Sequence, residues 1–200
     1  SHGQFGSADL VSLSISSECD EIKPGDSTSL MIEVKVEPGW HAYWKTAGQT
    51  GFPTSIAWDL PEGISLGALQ FPTPKYYEFQ GLGSYVHEKT FFLLAELQVM
   101  EEWNVSTPVS FTGEFSTLVC DEANCIPFRS ELQLTLPIGK VTKINGQAST
   151  VLAAAKSKLP VFLDKESLTS VHANSDFIDF SIQSALFENR APQDFYFFPE

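Results

Sequence analysis

The stretch PVSFTGEFSTLVC, residues 108–120, alternates apolar and polar side chains and ends at a cysteine. A period of two residues is typical of a β-strand that is buried on one face. A second cysteine, Cys125, follows after four intervening residues, and the run ELQLTLPI (131–138) then alternates again. The sequence therefore predicts two strands whose connection carries Cys120 and Cys125.

Strand patterns of this kind continue through the first 137 residues, separated by short turns rich in proline and glycine. In SLMIEVKVE (29–37), the alternation predicts that Leu30, Ile32, Val34 and Val36 face inward. Six or more strands at short spacing indicate an antiparallel β-sandwich. The remaining predicted strands are 9–17, 54–63 and 89–99, of which the nearly continuous apolar run 89–99 suits the middle of the sandwich.

The pattern changes near residue 140. GQASTVLAAAKSKLP (146–160) predicts a helix of about three turns, capped by Ser149 or Thr150 and ended by Pro160. Further strands are predicted at 175–185 and from 194 onward. We therefore expect a sandwich domain at 1–140, a helical linker at 141–165, and at 166–200 either the start of a second, truncated β domain or strands docked on the first.

Composition restricts the classes of function. The 200 residues are 42% hydrophobic and 12% aromatic, which is enough for a sizeable core, and the net charge is −13. This charge disfavours nucleic acid and anionic membrane surfaces as partners. No apolar run approaches the roughly 20 residues of a spanning helix, so we expect no membrane insertion by this segment. The stretch 63–89 shows little periodicity and is interpreted as a functional loop or a lid.

The cysteine pair has several interpretations. A loop this short would yield only about 2 kcal/mol of stabilisation on closure by a disulfide, which favours a chemical role over a purely structural bridge without excluding it. Zinc would require two further ligands, and His41, His87 and His172 show no suitable spacing, so no metal and no cofactor is expected. Two unlinked thiols are the remaining option. The third cysteine, Cys19, is interpreted as an unreactive, partly buried thiol.

Two acids lie between the paired cysteines. Asp121 and Glu122 would disfavour a thiolate and raise the pKa of the thiols, which suits a reductant with a fairly stable disulfide. In PGWHAYWK (38–45), Trp40 and Trp44 are expected to pack over one end of the sandwich. A sugar-stacking surface is the alternative for these aromatic residues.

Three stretches together resemble a known family: PGWHAYWKTAGQTGFPTSIAW, LPEGISLGALQFPTPKYYEFQG and LVCDEANCIPF. They are similar to the N-terminal periplasmic domain of the DsbD thiol–disulfide interchange proteins, and most similar to the branch with the copper-sensitivity suppressor proteins. The resemblance covers about residues 10–140. It is carried by the W-H-x-Y-W cluster combined with the C-x4-C-x-P loop.

The resemblance implies an immunoglobulin-like sandwich in the periplasm, within an inner-membrane-anchored protein-disulfide reductase. Such a domain takes electrons from transmembrane and thioredoxin-like domains of its pathway and passes them to oxidised periplasmic proteins. By position, Cys125 would be the attacking thiol and Cys120 its disulfide partner. Cytochrome c biogenesis and copper tolerance are the implied settings. The alternative function is a non-catalytic immunoglobulin-like binding or adhesion module with a structural disulfide.

The family also has a cap loop whose aromatic residue shields the sulfurs. EFQG (78–81) lies at the matching position, so the resemblance makes Phe79 the cap candidate, with Tyr77 and Glu78 beside it. This sequence departs from the best-known members, which have one more residue between the cysteines and two acids in the cap loop. Asp121 and Glu122 are candidates to supply the missing negative charge.

Overall fold

The computed structural model describes residues 10–161, 168–173 and 178–182, which fall into two compact units divided between Leu159 and Pro160. The elements of the first unit are β1 Val11–Ser17, β2 Cys19–Glu21, β3 Ser27–Val36, β4 His41–Gly48, β5 Ser55–Asp59, β6 Ile64–Leu66, β7 Lys75–Phe79, β8 Leu82–Glu88, β9 Thr90–Val99, β10 Val109–Cys120, β11 Cys125–Leu136, β12 Lys143–Ile144 and helix α1 Gly146–Lys156. The second unit holds the antiparallel pair β13 Leu168–Ala173 and β14 Ile178–Ile182.

The first unit is an antiparallel β-sandwich of the immunoglobulin-like type, as predicted. One sheet has the strand order β1-β3-β9-β6, which places the apolar strand β9 in its interior. The other has the order β11-β10-β4-β8-β7. The long strand β10 pairs with β11 along its whole length, and its opposite edge pairs with β5 at residues 112–116 and with β4 at residues 119–120.

The core lies between the two sheets. The predicted inward positions of β3 are confirmed, because Leu30, Ile32, Val34 and Val36 are all buried. A buried aliphatic or aromatic side chain contributes about 1.5–3 kcal/mol relative to an exposed one. Alternate positions of β3, β9, β10 and β11 supply much of the central cluster, which includes Leu30, Leu97, Val99, Val109, Phe111, Leu134 and Leu136.

Helix α1 packs on the outer face of the first sheet. Leu152 and Ala155 contact Met31 and Leu94, which is why Met31 is buried although its neighbours in β3 point to the sandwich interior. The helix thus belongs to the first compact unit. The predicted domain boundaries at 140 and 165 stay a prediction.

The predicted helix ends were wrong. Asn145 is the N-cap, and its Oδ1 accepts hydrogen bonds from the N–H groups of Gln147 and Ala148 at 3.0 Å each. The hydroxyl of Ser149 instead donates to Glu18, and that of Thr150 donates to the carbonyl of Gly146. Asparagine is as good an N-cap as serine, so residue type alone does not distinguish Asn145 from Ser149 as the cap. The helix ends at Lys156, before Pro160.

The stretch 63–89 was predicted as irregular, and this was wrong. It holds β6 and a hairpin formed by β7 and β8. The hairpin turns through Gln80 and Gly81, which both have positive φ, 52° and 79°. Positive φ at both central residues is the geometry that matches the twist of a two-residue hairpin. Glutamine is uncommon at such a position, so the turn gave little signal in the sequence.

The C-terminal predictions are tested only in part. Strand β14 lies inside the predicted strand 175–185, whereas β13 was not predicted. The predicted strand at 194–200 lies outside the described residues. Among the described helices, none has the length and apolar character needed to cross a bilayer.

Candidate functional site

The two cysteines of the predicted pair close the end of one hairpin. Strands β10 and β11 stay in register over twelve residue pairs, from Val109 opposite Leu136 to Cys120 opposite Cys125. The Cα atoms of this last pair are 4.1 Å apart, and their sulfurs form a disulfide. The bridge therefore spans two neighbouring strands directly at the mouth of the loop 121–124. Two of the interpretations left open by the sequence are inconsistent with this bond: a zinc site that uses both cysteines, and two unlinked thiols.

Asp121 organises that loop. Its N–H donates to the carbonyl of Asn124 at 2.9 Å, and its Oδ1 accepts from the N–H groups of Ala123 at 2.8 Å and Asn124 at 2.6 Å. These backbone donors lower the pKa of Asp121 below its ordinary value of 3.8. The carboxylate is thus a charged cap of the loop. Glu122 is exposed beside it.

The two sulfur-bearing residues differ in exposure. Cys120 is 2% exposed and packs in a cluster with Tyr43, Val86 and Leu118, whereas Cys125 is exposed. A protein partner can therefore approach the bridge from the side of Cys125. Thiol–disulfide exchange requires access to the sulfur, and Cys125 is the more exposed of the two residues.

The hairpin β7–β8 contributes one side chain to the surroundings of the buried cysteine. Tyr77 packs against the cluster that contains Cys120. Phe79, two residues further along the same face of β7, lies at the hairpin tip and is 44% exposed. Glu78 projects from the opposite face and is exposed. The structure thus brings Tyr77 to the disulfide cluster, with Phe79 at the outer end of the same edge strand.

His41 lies beside Cys120 on the adjacent strand. Cys120 of β10 and His41 of β4 are register partners, so their side chains share one face of the sheet. The imidazole is 4% exposed and contacts two tyrosine rings, with centroid distances of 5.6 Å to Tyr43 and 4.6 Å to Tyr77. Its Nε2 is buried and has no hydrogen-bond partner. Both tyrosines also contact the Cys120 cluster, which places the histidine at the same site.

The charge state of His41 follows from this position. Burial lowers its pKa below 6.5, while the negative charges of Glu88 and Asp121 act in the opposite direction. Glu88 is the register partner of His41 on β8 and forms a salt bridge of 2.9 Å with Lys75. The imidazole is therefore predominantly neutral at pH 7, and a neutral imidazole carries one nitrogen that can accept a proton.

The other residues singled out from the sequence lie in the fold rather than at the bridge. Trp44 is buried and contacts Tyr85 edge to face, and Trp40 is half-buried. These positions agree with the expected packing role better than with a surface that stacks on sugar rings. Cys19 is a buried, unbridged thiol in the central core, and burial raises its pKa. Within the described ranges, no group of three or more His, Cys, Asp or Glu residues is assembled to hold a metal.

Sequence reasoning gave His41 no part in the site. It was considered only as a metal ligand, for which a lone histidine is a weak signal. Its proximity to Cys120 arises from strand pairing across 79 positions of sequence, and register between distant strands cannot be read from local periodicity. The only sequence signal was its membership in the W-H-x-Y-W cluster.

The chain is similar to known proteins in sequence and in fold. The family model described as thiol:disulfide interchange protein DsbD, N-terminal, matches residues 15–137. Among solved structures, the fold is similar to the N-terminal periplasmic domain of ScsB from Proteus mirabilis, with a TM-score of 0.60 and 18% identity over 82% of this chain and 59% of that chain. The chain thus spans less than two thirds of that structure.

A second solved structure is also similar. The reduced N-terminal domain of DsbD from Neisseria meningitidis matches with a TM-score of 0.41 and 12% identity, over 70% of this chain and 95% of that chain. No curated protein matches the sequence.

Proposed function

The chain belongs to the DsbD N-terminal family of thiol:disulfide interchange proteins, and from this premise we propose that its sandwich domain relays electrons by opening and closing the Cys120–Cys125 bridge. In the reduced state, Cys125 attacks a disulfide of an oxidised partner protein and forms a mixed disulfide. Cys120 then attacks the sulfur of Cys125, which releases the reduced partner and restores the bridge.

The difference in exposure between the two cysteines is the observation that carries this proposal. An intermolecular mixed disulfide requires an accessible sulfur, and Cys125 is exposed. The second step is intramolecular and requires only that Cys120 stay beside Cys125, which the strand register ensures. A buried resolving thiol is protected from other oxidants. The arrangement therefore supports the assignment of attack to Cys125 and resolution to Cys120.

We assign the wider relay to the pathway implied by family membership. Electrons would arrive from transmembrane and thioredoxin-like domains and leave to oxidised periplasmic proteins, with the sandwich domain held in the periplasm by an inner-membrane anchor. Contacts in such a relay are transient and small. The hairpin β7–β8 would be a lid: Tyr77 packs against the Cys120 cluster, Phe79 lies further along the same face of β7, and among the described strands β7 pairs only with β8. Docking of a partner would displace it.

Redox titration tests the proposal. The protein is equilibrated in buffers of graded dithiol-to-disulfide ratio, free thiols are trapped by alkylation, and the Cys120–Cys125 peptide is quantified by mass spectrometry. We expect reversible reduction at moderate potential while circular dichroism shows the folded state. A bridge that resists reduction until the protein unfolds would instead identify the binding or adhesion module with a structural disulfide.

Partner trapping tests the relay. A Cys120→Ala variant keeps the attacking thiol and loses the resolving one, so mixed disulfides with partners should accumulate. A Cys125→Ala variant is the matched control and should trap none. The identities of the trapped proteins would show whether cytochrome c maturation or copper-related proteins are among the substrates.

A further inference from the structure

Two histidines in the described part of the chain have a buried Nε2 without a hydrogen-bond partner, His41 and His87. They lie on neighbouring strands but on opposite faces of the sheet. His87 is the register partner of Ala42, faces the sandwich interior and stacks on Phe91 with a centroid distance of 4.4 Å. His41 is the register partner of Cys120, so its side chain lies on the same face of the sheet as the disulfide. Of the two histidines, only His41 therefore shares a face with the reacting sulfurs.

The missing partner of His41 has a redox explanation. A buried polar atom normally has a hydrogen-bond partner, because leaving it unpaired costs free energy. In the disulfide state neither sulfur carries a hydrogen. Reduction places a thiol S–H on Cys120, on the strand next to His41. We propose that His41 accepts the proton of Cys120 when Cys120 closes the disulfide, a positioning and proton-transfer role that rests on the proposed function.

In the mixed disulfide, Cys125 is joined to the partner sulfur and Cys120 is a thiol. As His41 takes the proton from Cys120, the Cys120 sulfur attacks Cys125, and the bond from Cys125 to the partner breaks. The electron pair of that bond leaves on the partner sulfur as a thiolate, which then takes up a proton from His41 or from water. The partner disulfide has gained two electrons and two protons, and the dithiol has lost them.

Surrounding groups support a transient positive charge on His41. Glu88 faces it from β8 and Asp121 from the loop after β10, and both favour the imidazolium. Lys75 on β7 opposes them, but its ammonium is paired with the Glu88 carboxylate. The rings of Tyr43 and Tyr77 cover the imidazole and keep water from replacing it as the proton acceptor. Exposed Cys125 loses its own proton to solvent and does not need His41.

A chromogenic aromatic disulfide separates the two steps in time. Reduced protein is mixed with 5,5′-dithiobis(2-nitrobenzoate) in a stopped-flow instrument between pH 6 and pH 9. Attack by Cys125 releases one thionitrobenzoate, and closure by Cys120 releases a second. The variants are His41→Phe and His41→Gln, with His87→Phe as the matched control for a buried histidine on the other face. A Cys19→Ala background keeps the third thiol out of the measurement.

We expect the His41 variants to slow the second release by about a hundredfold at pH 6, the low end of what general acid–base catalysis contributes. The first release should stay within about twofold of the unmodified protein. The deficit should shrink as pH rises, because the Cys120 thiol then ionises without help. A merely structural defect would slow the release by the same factor at every pH. His87→Phe should change neither step.

The outcomes of this experiment distinguish a failure of the exchange function from a failure of the role of His41. If the unmodified protein fails to release the second thionitrobenzoate, the proposed exchange function is wrong. If it releases both, and the His41 variants resolve at the unmodified rate throughout the pH range, exchange stands and the role of His41 is overturned. A second measurement needs no variant: reduction should shift the imidazole nitrogen resonances of His41 in ¹⁵N-histidine-labelled protein and leave those of His87 unchanged. An unchanged His41 spectrum would also overturn the proposal.

Discussion

Cys120 and Cys125 face each other across the last pair of the β10–β11 hairpin, yet Cys120 is buried and Cys125 is exposed. The difference arises from the neighbours of each strand. Cys120 lies on β10, which has β4 on its other side, and is covered by Tyr43 and Tyr77. Cys125 begins β11, the edge strand of the sheet. One bond thus joins a buried residue to an exposed one.

Single-cysteine variants should reveal this difference as a difference in reactivity. In a Cys19→Ala background, Cys120→Ser leaves only the Cys125 thiol and Cys125→Ser leaves only the Cys120 thiol. We expect iodoacetamide to alkylate Cys125 at least about tenfold faster than Cys120 at pH 8, because thiol reactivity requires exposure. Mass spectrometry at timed intervals measures both rates. Equal rates in folded protein would remove the assignment of attack to Cys125.

The proposed lid can be tested by shortening its aromatic side chains. In reduced protein, Tyr77→Ala should speed alkylation of Cys120, because Tyr77 packs against the Cys120 cluster. If Phe79 also belongs to the lid, as proposed, Phe79→Ala should speed alkylation of Cys125; Phe79 lies two residues further along the same face of β7. Val105→Ala is the control, since Val105 is exposed in the β9–β10 connection at the other end of β10. Peptide-resolved mass spectrometry separates the two thiols. An unchanged Cys125 rate in Phe79→Ala would remove Phe79 from the lid.

Much of the sandwich was predictable because alternation is a local property. The buried face of β3 and the run from β10 into the cysteine pair follow from side-chain order alone, and the resemblance supplied the roles of the two cysteines. The β7–β8 hairpin was missed because its turn uses Gln80, which carries little turn signal. His41 was missed as a site residue because its position depends on which strand lies beside β10. Local pattern specifies faces of strands, whereas the neighbours of a strand are set by the packing of the whole sheet.

Asp121 gives the loop between the cysteines a pH dependence of known sign. Because its pKa in the folded state lies below 3.8, its contribution to stability is present above pH 3.8 and is lost as pH falls through the folded-state pKa. We expect the melting temperature of the reduced protein to fall more steeply below pH 4 than that of Asp121→Asn, which keeps an Oδ1 acceptor without the charge. Glu122→Gln, which changes the neighbouring exposed acid, should follow the unmodified protein. Identical acid sensitivity in Asp121→Asn would contradict the assignment.

His87 should make the stability of the sandwich sensitive to acid in a higher pH range than Asp121 does. Burial lowers its pKa to about 4, whereas an unfolded histidine titrates near 6.5. A lowered folded-state pKa means that the stabilising contribution is full above pH 6.5 and is lost as pH falls toward 4. The loss amounts to about 3 kcal/mol at 1.36 kcal/mol per pH unit.

His87→Phe replaces a buried imidazole, whose Nε2 has no hydrogen-bond partner, with an apolar ring that can still stack on Phe91. Between pH 7 and pH 4, the unfolding free energy of this variant should therefore fall by about 3 kcal/mol less than that of the unmodified protein. Urea unfolding of the oxidised protein measures this, with His172→Gln, at an exposed histidine, as the control. A His87→Phe variant that loses as much stability as the unmodified protein would show that His87 is not held neutral in the core.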